Sequence, residues 1–231
     1  MEKAILVLSI DDGRADMYRL AKDVLIPRKI PATLNITTGK EFFKSFPKIK
    51  DEELVEIAKY PWFEIANHSR MHTNEADDII NGQKDLCDLL GYDYEKPMGF
   101  ASPGSEMSME YIRANAEELE KLGIEYVRTC EPDFFNREDD VFALTSFPVM
   151  FEKSVEELKN MTDIAVDNKC NIIFLFHSVL KEGEENYNNT WSYDFDKFNF
   201  WLDYVLDLQS QGKLEIMTTM EYVYYKKGSL K

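Results

Sequence analysis

Short apolar segments alternate with longer amphipathic segments along the chain, and this alternation limits the folds available to it. Parallel strands joined by helical crossovers are the arrangement that such a pattern produces. Segment 171–177 (NIIFLFH) is the most apolar, which is typical of a strand covered on both faces of a sheet. We therefore predict an α/β fold in which one barrel-like domain spans residues 1–231. The predicted strands are 4–10, 32–37, 62–67, 98–101, 124–129, 171–177 and 214–218, with a strand-like segment at 142–151.

The amphipathic segments have the spacing of helices that bury one face. Ser154 and Glu157 have the spacing of a capping box, which marks the start of one of these helices. Residues 181–193 are polar with interspersed aromatic side chains and are predicted to form a loop, and strand 214–218 completes the pattern. The predicted helices are 14–29, 51–60, 75–90, 108–122, 154–167 and 195–211.

Composition excludes several classes of protein. A formal net charge of -16 repels phosphate backbones, so we expect no nucleic-acid partner. The sequence has no apolar run of about 18 residues, so we expect no membrane span. It also begins without a signal peptide, which predicts a cytoplasmic protein unless a signal was removed beforehand. The three cysteines, Cys87, Cys130 and Cys170, are widely spaced and are expected to be free thiols. The sequence gives no indication of oligomeric state.

The three histidines of the chain are the strongest indication of a functional site. Asp11 and Asp12, His68, and His177 each stand where a predicted strand ends. In a parallel barrel these carboxyl ends converge on one face, where such folds build active sites. His68 and His72 are four residues apart, so both imidazoles can share one side of a turn. Two histidines and a carboxylate with open positions suit catalytic zinc or a related ion. Each feature alone has an ordinary explanation as a turn or a core histidine, but their combination favours a site.

Three motifs resemble those of the polysaccharide deacetylase superfamily, also called the NodB-homology domain. Residues 9–13 (SIDDG) resemble its first motif, T-F-D-D-G. Residues 68–72 (HSRMH), preceded by Asn67, match its second motif, H-[ST]-x-x-H, and residues 175–177 (LFH) match its late L-x-H motif. The motifs occur in the family's order and cover most of the chain. The resemblance implies a deformed (β/α) barrel with about seven parallel strands and a site at their carboxyl ends.

The resemblance also implies a role for each motif residue. Asp12, His68 and His72 would hold one divalent metal ion, most naturally zinc, with cobalt or nickel as alternatives. Asp11 would be the general base that takes a proton from water. His177, protonated near neutral pH, would be the general acid that protonates the leaving amine.

The third motif departs from the family pattern R-x-P-[YF]-G. Ala101 stands where the family has the arginine that orients the catalytic base, although some branches with alanine there are deacetylases. Arg128, at the end of the next predicted strand, can supply the missing guanidinium, and a structural ion pair is the alternative. Gly104 follows the proline of this motif and would offer its backbone N–H to the oxyanion.

Two further parts of the family pattern are uncertain in this sequence. The fourth motif, an aspartate that orients the acid histidine, is not recognisable, since Glu131 and Asp133 lie in the right region but match poorly. Tyr187, Trp191 and Tyr193 follow His177 and are candidates for stacking on sugar rings. The alternative is that these aromatic residues pin the loop to the barrel rim.

The function that this pattern predicts is metal-dependent hydrolysis of an N-acetyl or O-acetyl group on a carbohydrate or small acetylated molecule. Two alternatives stay open. Relatives on this fold open cyclic amides or imides, often with altered metal ligands, whereas here the Asp-His-His set is intact. The chain could also be a non-catalytic glycan-binding barrel, against which the presence of both Asp11 and His177 argues.

Overall fold

The computed structural model describes residues 3–44, 46–137 and 140–229, and its centre is a largely parallel sheet rolled into a nearly closed barrel. All seven predicted strands are present within about one residue of their expected bounds. The strands are β1 (Ala4–Ile10), β2 (Ala32–Ile36), β3 (Phe63–Asn67), β4 (Met98–Ala101), β5 (Ile124–Arg128), β6 (Phe135–Asn136), β7 (Ala143–Leu144), β8 (Phe147–Pro148), β9 (Asn171–Phe176), β10 (Ser178–Leu180), β11 (Ser192–Asp194) and β12 (Leu214–Met217).

The order of strands around the barrel is β7-β5-β4-β3-β2-β1-β9, with β8 paired to β9 and β12 paired to β1. These pairs are parallel, as is the separate β10–β11 pair, and β6 lies antiparallel to β9. Only Thr145 and Ser146 separate β7 from β8. The chain therefore passes directly from β7, at one end of this order, to β8, which pairs with β9 at the other end. The predicted barrel is therefore confirmed.

Most helices cover the outside of the barrel, and the predicted helices and strands differ from the observed ones in three places. The predicted helix 108–122 is divided at Asn115, and the strand-like segment 142–151 forms only the short strands β7 and β8. A last helix follows β12, so the prediction that a strand completes the pattern was wrong. The helices are α1 (Asp16–Leu20) and α2 (Ile26–Arg28), joined by a π-helical turn (Ala21–Leu25), α3 (Asp51–Ile57), α4 (Ala76–Leu90), α5 (Met109–Ala114), α6 (Ala116–Lys121), α7 (Val155–Asn168), α8 (Phe195–Ser210) and α9 (Thr219–Lys226).

The two faces of each strand separate an outer core from the barrel interior. In β1, Leu6, Leu8 and Ile10 belong to the large core under the helices, whereas Ile5 and Val7 belong to a smaller cluster with residues of β5, β9 and α9. The interior positions near the carboxyl ends are polar instead of apolar. Ser9, Asn35 and Asp11 are joined there by hydrogen bonds, and a second polar contact, between Glu64 and Thr33, lies deeper in the barrel.

Two expectations from composition can be compared with the fold. No helix in the described ranges combines the length and the apolar character needed to cross a membrane. All three cysteines are free thiols, as predicted, with Cys87 and Cys170 buried and Cys130 half-buried.

Candidate active site

The structure brings the motif residues together at the carboxyl ends of the strands. Asp11 and Asp12 follow β1, His68 follows β3, and His177 follows β9, which is the direct neighbour of β1. Asp12, His68 and His72 each offer a ligand atom within 4.8 Å of the others. They form the one group of this kind among the residues that the structure describes.

Local backbone geometry explains why the adjacent aspartates point to different partners. Asp12 has φ 74° and Gly13 has φ 80°, so the chain turns sharply just after β1. Positive φ is disfavoured for residues with a Cβ, which accounts for the glycine at position 13. Because of this turn, Asp11 extends toward Arg128, whereas Asp12 faces the two histidines.

The histidine loop is also held in an unusual conformation. Ser69 and His72 both have φ 60°, so the His68–His72 pair lies on an irregular turn. The carboxylate of Asp78 accepts the backbone N–H groups of Met71 and Thr73 and stabilises this turn. The imidazoles consequently meet edge to face, with ring centroids 4.8 Å apart.

Three atoms converge with the geometry of a metal site. Oδ1 of Asp12 lies 3.5 Å from Nε2 of His68 and 3.5 Å from Nε2 of His72. Ligand atoms that bind zinc tetrahedrally at about 2.0–2.2 Å are separated by roughly 3.3–3.5 Å. Oδ1 is buried and has no hydrogen-bond partner among the described residues. A buried carboxylate oxygen without a donor is costly, and a cation between these three atoms would satisfy it. The residues therefore fit a divalent metal ion.

Neighbouring groups fix the orientation of both imidazoles. Nδ1 of His68 lies 2.8 Å from the carbonyl oxygen of Ala101, a contact that requires Nδ1 to carry the proton and to donate it. The lone pair of Nε2 then faces Asp12, as in many histidine metal ligands. The ring of Phe42 stacks on His72 at 4.3 Å between centroids. Burial alone would raise the pKa of Asp12, but His68 and His72 bring that pKa well below its ordinary value.

Asp11 is held by a buried arginine and an asparagine. Nη2 of Arg128 donates to both carboxylate oxygens at 2.5 Å, and Asn35 Nδ2 donates to Oδ1 at 2.8 Å. Arg128, which the sequence offered as a source of the missing guanidinium, thus contacts Asp11 through a single nitrogen. Burial would raise the pKa of Asp11, yet Arg128 and His68 more than offset it and lower that pKa. Asp11 is therefore ionised and can accept a proton.

His177 lies against the exposed ring of Trp191, at 4.8 Å between centroids. Its Nδ1 is buried and has no hydrogen-bond partner in the described ranges. Burial lowers the pKa of His177 to about 4, with Asp12 and Asp11 opposing that shift. The expectation that this histidine is protonated near neutral pH is therefore not supported for the metal-free chain.

Gly104 and Tyr193, two further residues considered for the site, lie in different surroundings. Gly104 is exposed, with φ 61°, on the turn after β4, which Asn74 ties to the histidine loop through Ser102 and Pro103. Tyr193 is fully buried in the outer core, so it is not placed to stack on a sugar and fits the alternative of an aromatic residue that pins the loop.

Of the remaining aromatic candidates, Trp191 is the one best placed to meet a ligand. It is 43% exposed and borders His177. Tyr187 is half-buried, packs against Phe151 and donates its hydroxyl to Asp194, which fits the alternative of a residue that pins the loop.

The fourth-motif candidates are engaged elsewhere. Glu131 accepts the backbone N–H of Met109, and Asp133 forms a surface ion pair with Arg137. Neither carboxylate makes a hydrogen bond with His177 among the described residues.

Sequence reasoning missed two polar residues of the site. Asn35 bridges Ser9 and Asp11 from β2, and Arg14 binds the outer oxygen of Asp12. Asn35 had a recognisable signal, because it is a polar residue within an otherwise largely apolar strand segment. Arg14 follows the first motif directly, but nothing in the sequence indicates where its side chain points.

No protein-family model and no curated protein sequence matches this chain. Several solved structures do match it. The catalytic domain of a peptidoglycan N-acetylglucosamine deacetylase from Eubacterium rectale is 17% identical, with 94% of this chain and 88% of that chain covered and a TM-score of 0.56. The Xyl-CE4 domain of a xylanase from the hindgut metagenome of Trinervitermes trinervoides is 16% identical, with 98% and 92% covered and a TM-score of 0.55.

IcaB from Ammonifex degensii is 20% identical, with 71% of this chain and 72% of that chain covered and a TM-score of 0.54. At such identities the likeness is one of fold. The chain therefore has the deformed (β/α) barrel fold of CE4 polysaccharide deacetylases, as the resemblance to the NodB-homology domain predicted.

Proposed function

We propose that this chain is a metal-dependent deacetylase that hydrolyses an N-acetyl group, or alternatively an O-acetyl group, on a carbohydrate. The observation that carries the proposal is the convergence of Asp12 Oδ1 with Nε2 of His68 and of His72 at 3.5 Å, beside Asp11. The fold shared with solved deacetylases supports the same reaction class.

Asp12, His68 and His72 would hold one divalent ion, with zinc as the first choice and cobalt or nickel as alternatives. When bound there, the ion supplies Lewis-acid polarisation of an acyl oxygen and acidifies water. The backbone N–H of Gly104, on the turn beside the histidine loop, is our candidate for a second contact to the developing oxyanion.

Asp11 is the proposed general base. Its Oδ2 lies 3.8 Å from Nε2 of His68, so it borders the metal cradle without being part of it. Arg128 and Asn35 hold the carboxylate and keep it ionised, so that it can take the proton of the attacking water. Arg128 is therefore a positioning residue in this scheme.

His177 is the proposed general acid, although the pKa of its imidazole is about 4 in the metal-free chain. It would enter the cycle neutral, accept the proton that Asp11 has taken from the attacking water, and deliver that proton to the leaving amine. Its unpartnered Nδ1 and its place on the strand next to Asp11 fit such a shuttle.

The proposed substrate is an N-acetylated amino-sugar oligomer. Trp191 offers an exposed ring directly beside His177, and a flat aromatic surface is suited to stack on a pyranose ring. The solved neighbours include a peptidoglycan N-acetylglucosamine deacetylase, which supports this choice of substrate class.

Acetate release tests the proposal. The zinc- or cobalt-loaded chain is incubated with N-acetylated oligosaccharides, O-acetylated oligosaccharides, small N-acetyl sugars and a cyclic imide, with Asp11→Asn as the matched control. We expect acetate from an acetylated sugar and none from the variant. Ring opening of the imide alone would replace this proposal with the second reaction class. Glycan binding with no turnover of any substrate would indicate a non-catalytic barrel.

A further inference from the structure

The carboxylate of Asp12 has two oxygens in different surroundings. Oδ1 faces the two histidines and has no donor among the described residues. Oδ2 accepts a hydrogen bond from Nε of Arg14 at 2.8 Å and forms an ion pair with Nη2 of the same guanidinium at 2.7 Å. Both side chains are buried, at 8% and 2% exposed. Oδ2 is thus bound by the protein itself, whereas Oδ1 remains available to a ligand.

We propose that Arg14 is a positioning residue of the metal site, which occupies Oδ2 of Asp12 so that only Oδ1 is presented to the metal. This inference rests on the proposed function, because it takes Asp12 as a metal ligand. Hydrogen bonds between charged partners are short and strong, and the hydrogen bond from Nε together with the ion pair to Nη2 restrains rotation of the carboxylate. Asp12 therefore binds through a single oxygen and leaves coordination positions open for substrate and water.

The guanidinium of Arg14 is itself fixed from three sides. Nη1 donates to Oγ of Ser178 at 3.2 Å, and that hydroxyl donates to Asp16 at 3.0 Å. The ring of Phe46 lies 3.8 Å from the guanidinium carbon, a cation–π contact. Because Ser178 follows His177 directly, Arg14 links the aspartate turn after β1 to the strand end that carries the proposed acid.

Each aspartate of the pair consequently has its own arginine. Asp11 is bound by Arg128 and Asp12 by Arg14, and all four side chains are buried. Two buried carboxylates next to each other would repel unless each were neutralised. The arrangement pairs each carboxylate with a guanidinium of its own, while one carboxylate borders the histidines from outside and the other faces them with Oδ1.

A lysine cannot replace this arginine. Its ammonium is a single nitrogen on a flexible stem, whereas the planar guanidinium of Arg14 directs Nε and Nη2 to Asp12 and Nη1 to Ser178. Arginine also repels a nearby cation, so its loss has two opposed effects on metal affinity. Loss of orientation should dominate, because groups that orient metal ligands typically contribute about 10- to 100-fold in affinity.

Metal affinity, measured without any substrate, tests the inference. The stripped full chain is titrated with Co²⁺ or Zn²⁺ against a chromophoric chelator, and thermal unfolding is recorded for each variant. We expect Arg14→Met to bind about 10- to 100-fold more weakly than the wild type, and Arg14→Lys to be weakened as well. Arg28→Met, which removes a surface partner of Asp203, is the matched control and should bind as the wild type does.

Two outcomes decide against the inference, and a third moves the test to other variants. Equal or tighter metal binding by Arg14→Met and Arg14→Lys, with lower stability alone, would assign Arg14 a role in folding only. If Arg14→Met does not fold, Arg14→Lys and Ser178→Ala carry the test with the same expectation of weaker binding. If the wild-type chain binds neither ion, both this inference and the proposed function are overturned. If the wild type and the variants bind the metal ion equally well, only this inference is overturned.

Discussion

Ala101 and Arg128 are register partners on the neighbouring parallel strands β4 and β5. In the family whose motifs this sequence resembles, the arginine of the third motif occupies the position of Ala101. In this chain the guanidinium that reaches Asp11 comes instead from Arg128, one strand further along the sheet. Ala101 is fully buried, and its methyl group is far smaller than an arginine side chain. The guanidinium that contacts Asp11 is thus carried by β5, the strand adjacent to β4, at the same level of the barrel.

This relationship predicts a rescue. Arg128→Met should lower kcat by about a hundredfold, the lower end of what a general base contributes, because Asp11 loses its partner. Adding Ala101→Arg in that background should restore part of the activity, since a guanidinium again enters beside Asp11. Turnover per folded molecule is measured together with unfolding, because breaking a buried ion pair costs about 3–5 kcal/mol of stability. Unchanged turnover in a less stable Arg128→Met would make the pair purely structural.

Metal content tests the ligand set directly. His72→Ala should lose the ion during mild purification, because it removes one of three ligands from a half-exposed loop. His177→Ala, the matched control at the only histidine outside the set, should retain it. Elemental analysis of both proteins gives the answer, and equal metal in His72→Ala and the wild type would contradict the assignment.

The proposed acid–base pair predicts loss of turnover without loss of metal. Asp11→Asn and His177→Ala should each lower kcat by about a hundredfold or more. Kinetics of the metal-loaded variants, corrected for the folded fraction, measure this. If His177→Ala is less stable but has normal turnover per folded molecule, His177 has a structural role in the core instead of a catalytic one.

Trp191 should affect substrate binding more than chemistry. Ring stacking is worth about 1 kcal/mol, so Trp191→Ala should raise KM for an acetylated oligosaccharide roughly fivefold while kcat changes little. Tyr187→Phe removes a hydroxyl that holds Asp194 and should leave KM unchanged, which makes it the control. If KM is the same for Trp191→Ala and the wild type, the Trp191 ring covers His177 without contributing to substrate binding.

The sequence was sufficient to predict the barrel and the grouping of Asp12, His68 and His72 into a candidate metal cradle, because both depend on local pattern. Apolar segments locate the strands, and Asp12 and His68 follow strand ends that a parallel barrel brings together. The cradle also needs His72, which local spacing places beside His68. These features require no knowledge of how distant side chains pack.

What the sequence did not reveal depends on tertiary packing. Tyr193 and Trp191 are two residues apart in one polar segment, yet one ring is buried in the core and the other is exposed. The partner of Arg14 is set by a turn with positive φ at Asp12, which no sequence pattern specified. Helix α9 was missed although Thr218 and Glu221 form a capping box, because the apolar pattern after β12 is weak.

The last prediction concerns a carboxyl group deeper in the barrel. Glu64 of β3 accepts hydrogen bonds from the hydroxyls of Tyr126 and Thr33 and from the backbone N–H of Met220, at 2.7–2.9 Å. Burial nevertheless raises its pKa above the ordinary value of 4.5, because these three donors offset the desolvation only in part. The folded chain therefore binds this proton more tightly than the unfolded chain does.

The sign of the effect on stability follows from that raised pKa. The contribution of Glu64 to the free energy of unfolding is largest below pH 4.5 and is lost as the pH rises through the folded-state pKa. Glu64→Gln removes this titration, so the wild type should lose stability relative to the variant as the pH is raised from about 4 to 8. Denaturant unfolding of both metal-free proteins across that range measures the difference, with Glu215→Gln on the exposed face of β12 as the charge-matched control. Parallel stability curves for the wild type and Glu64→Gln would show that the carboxyl titrates alike in the folded and unfolded chains.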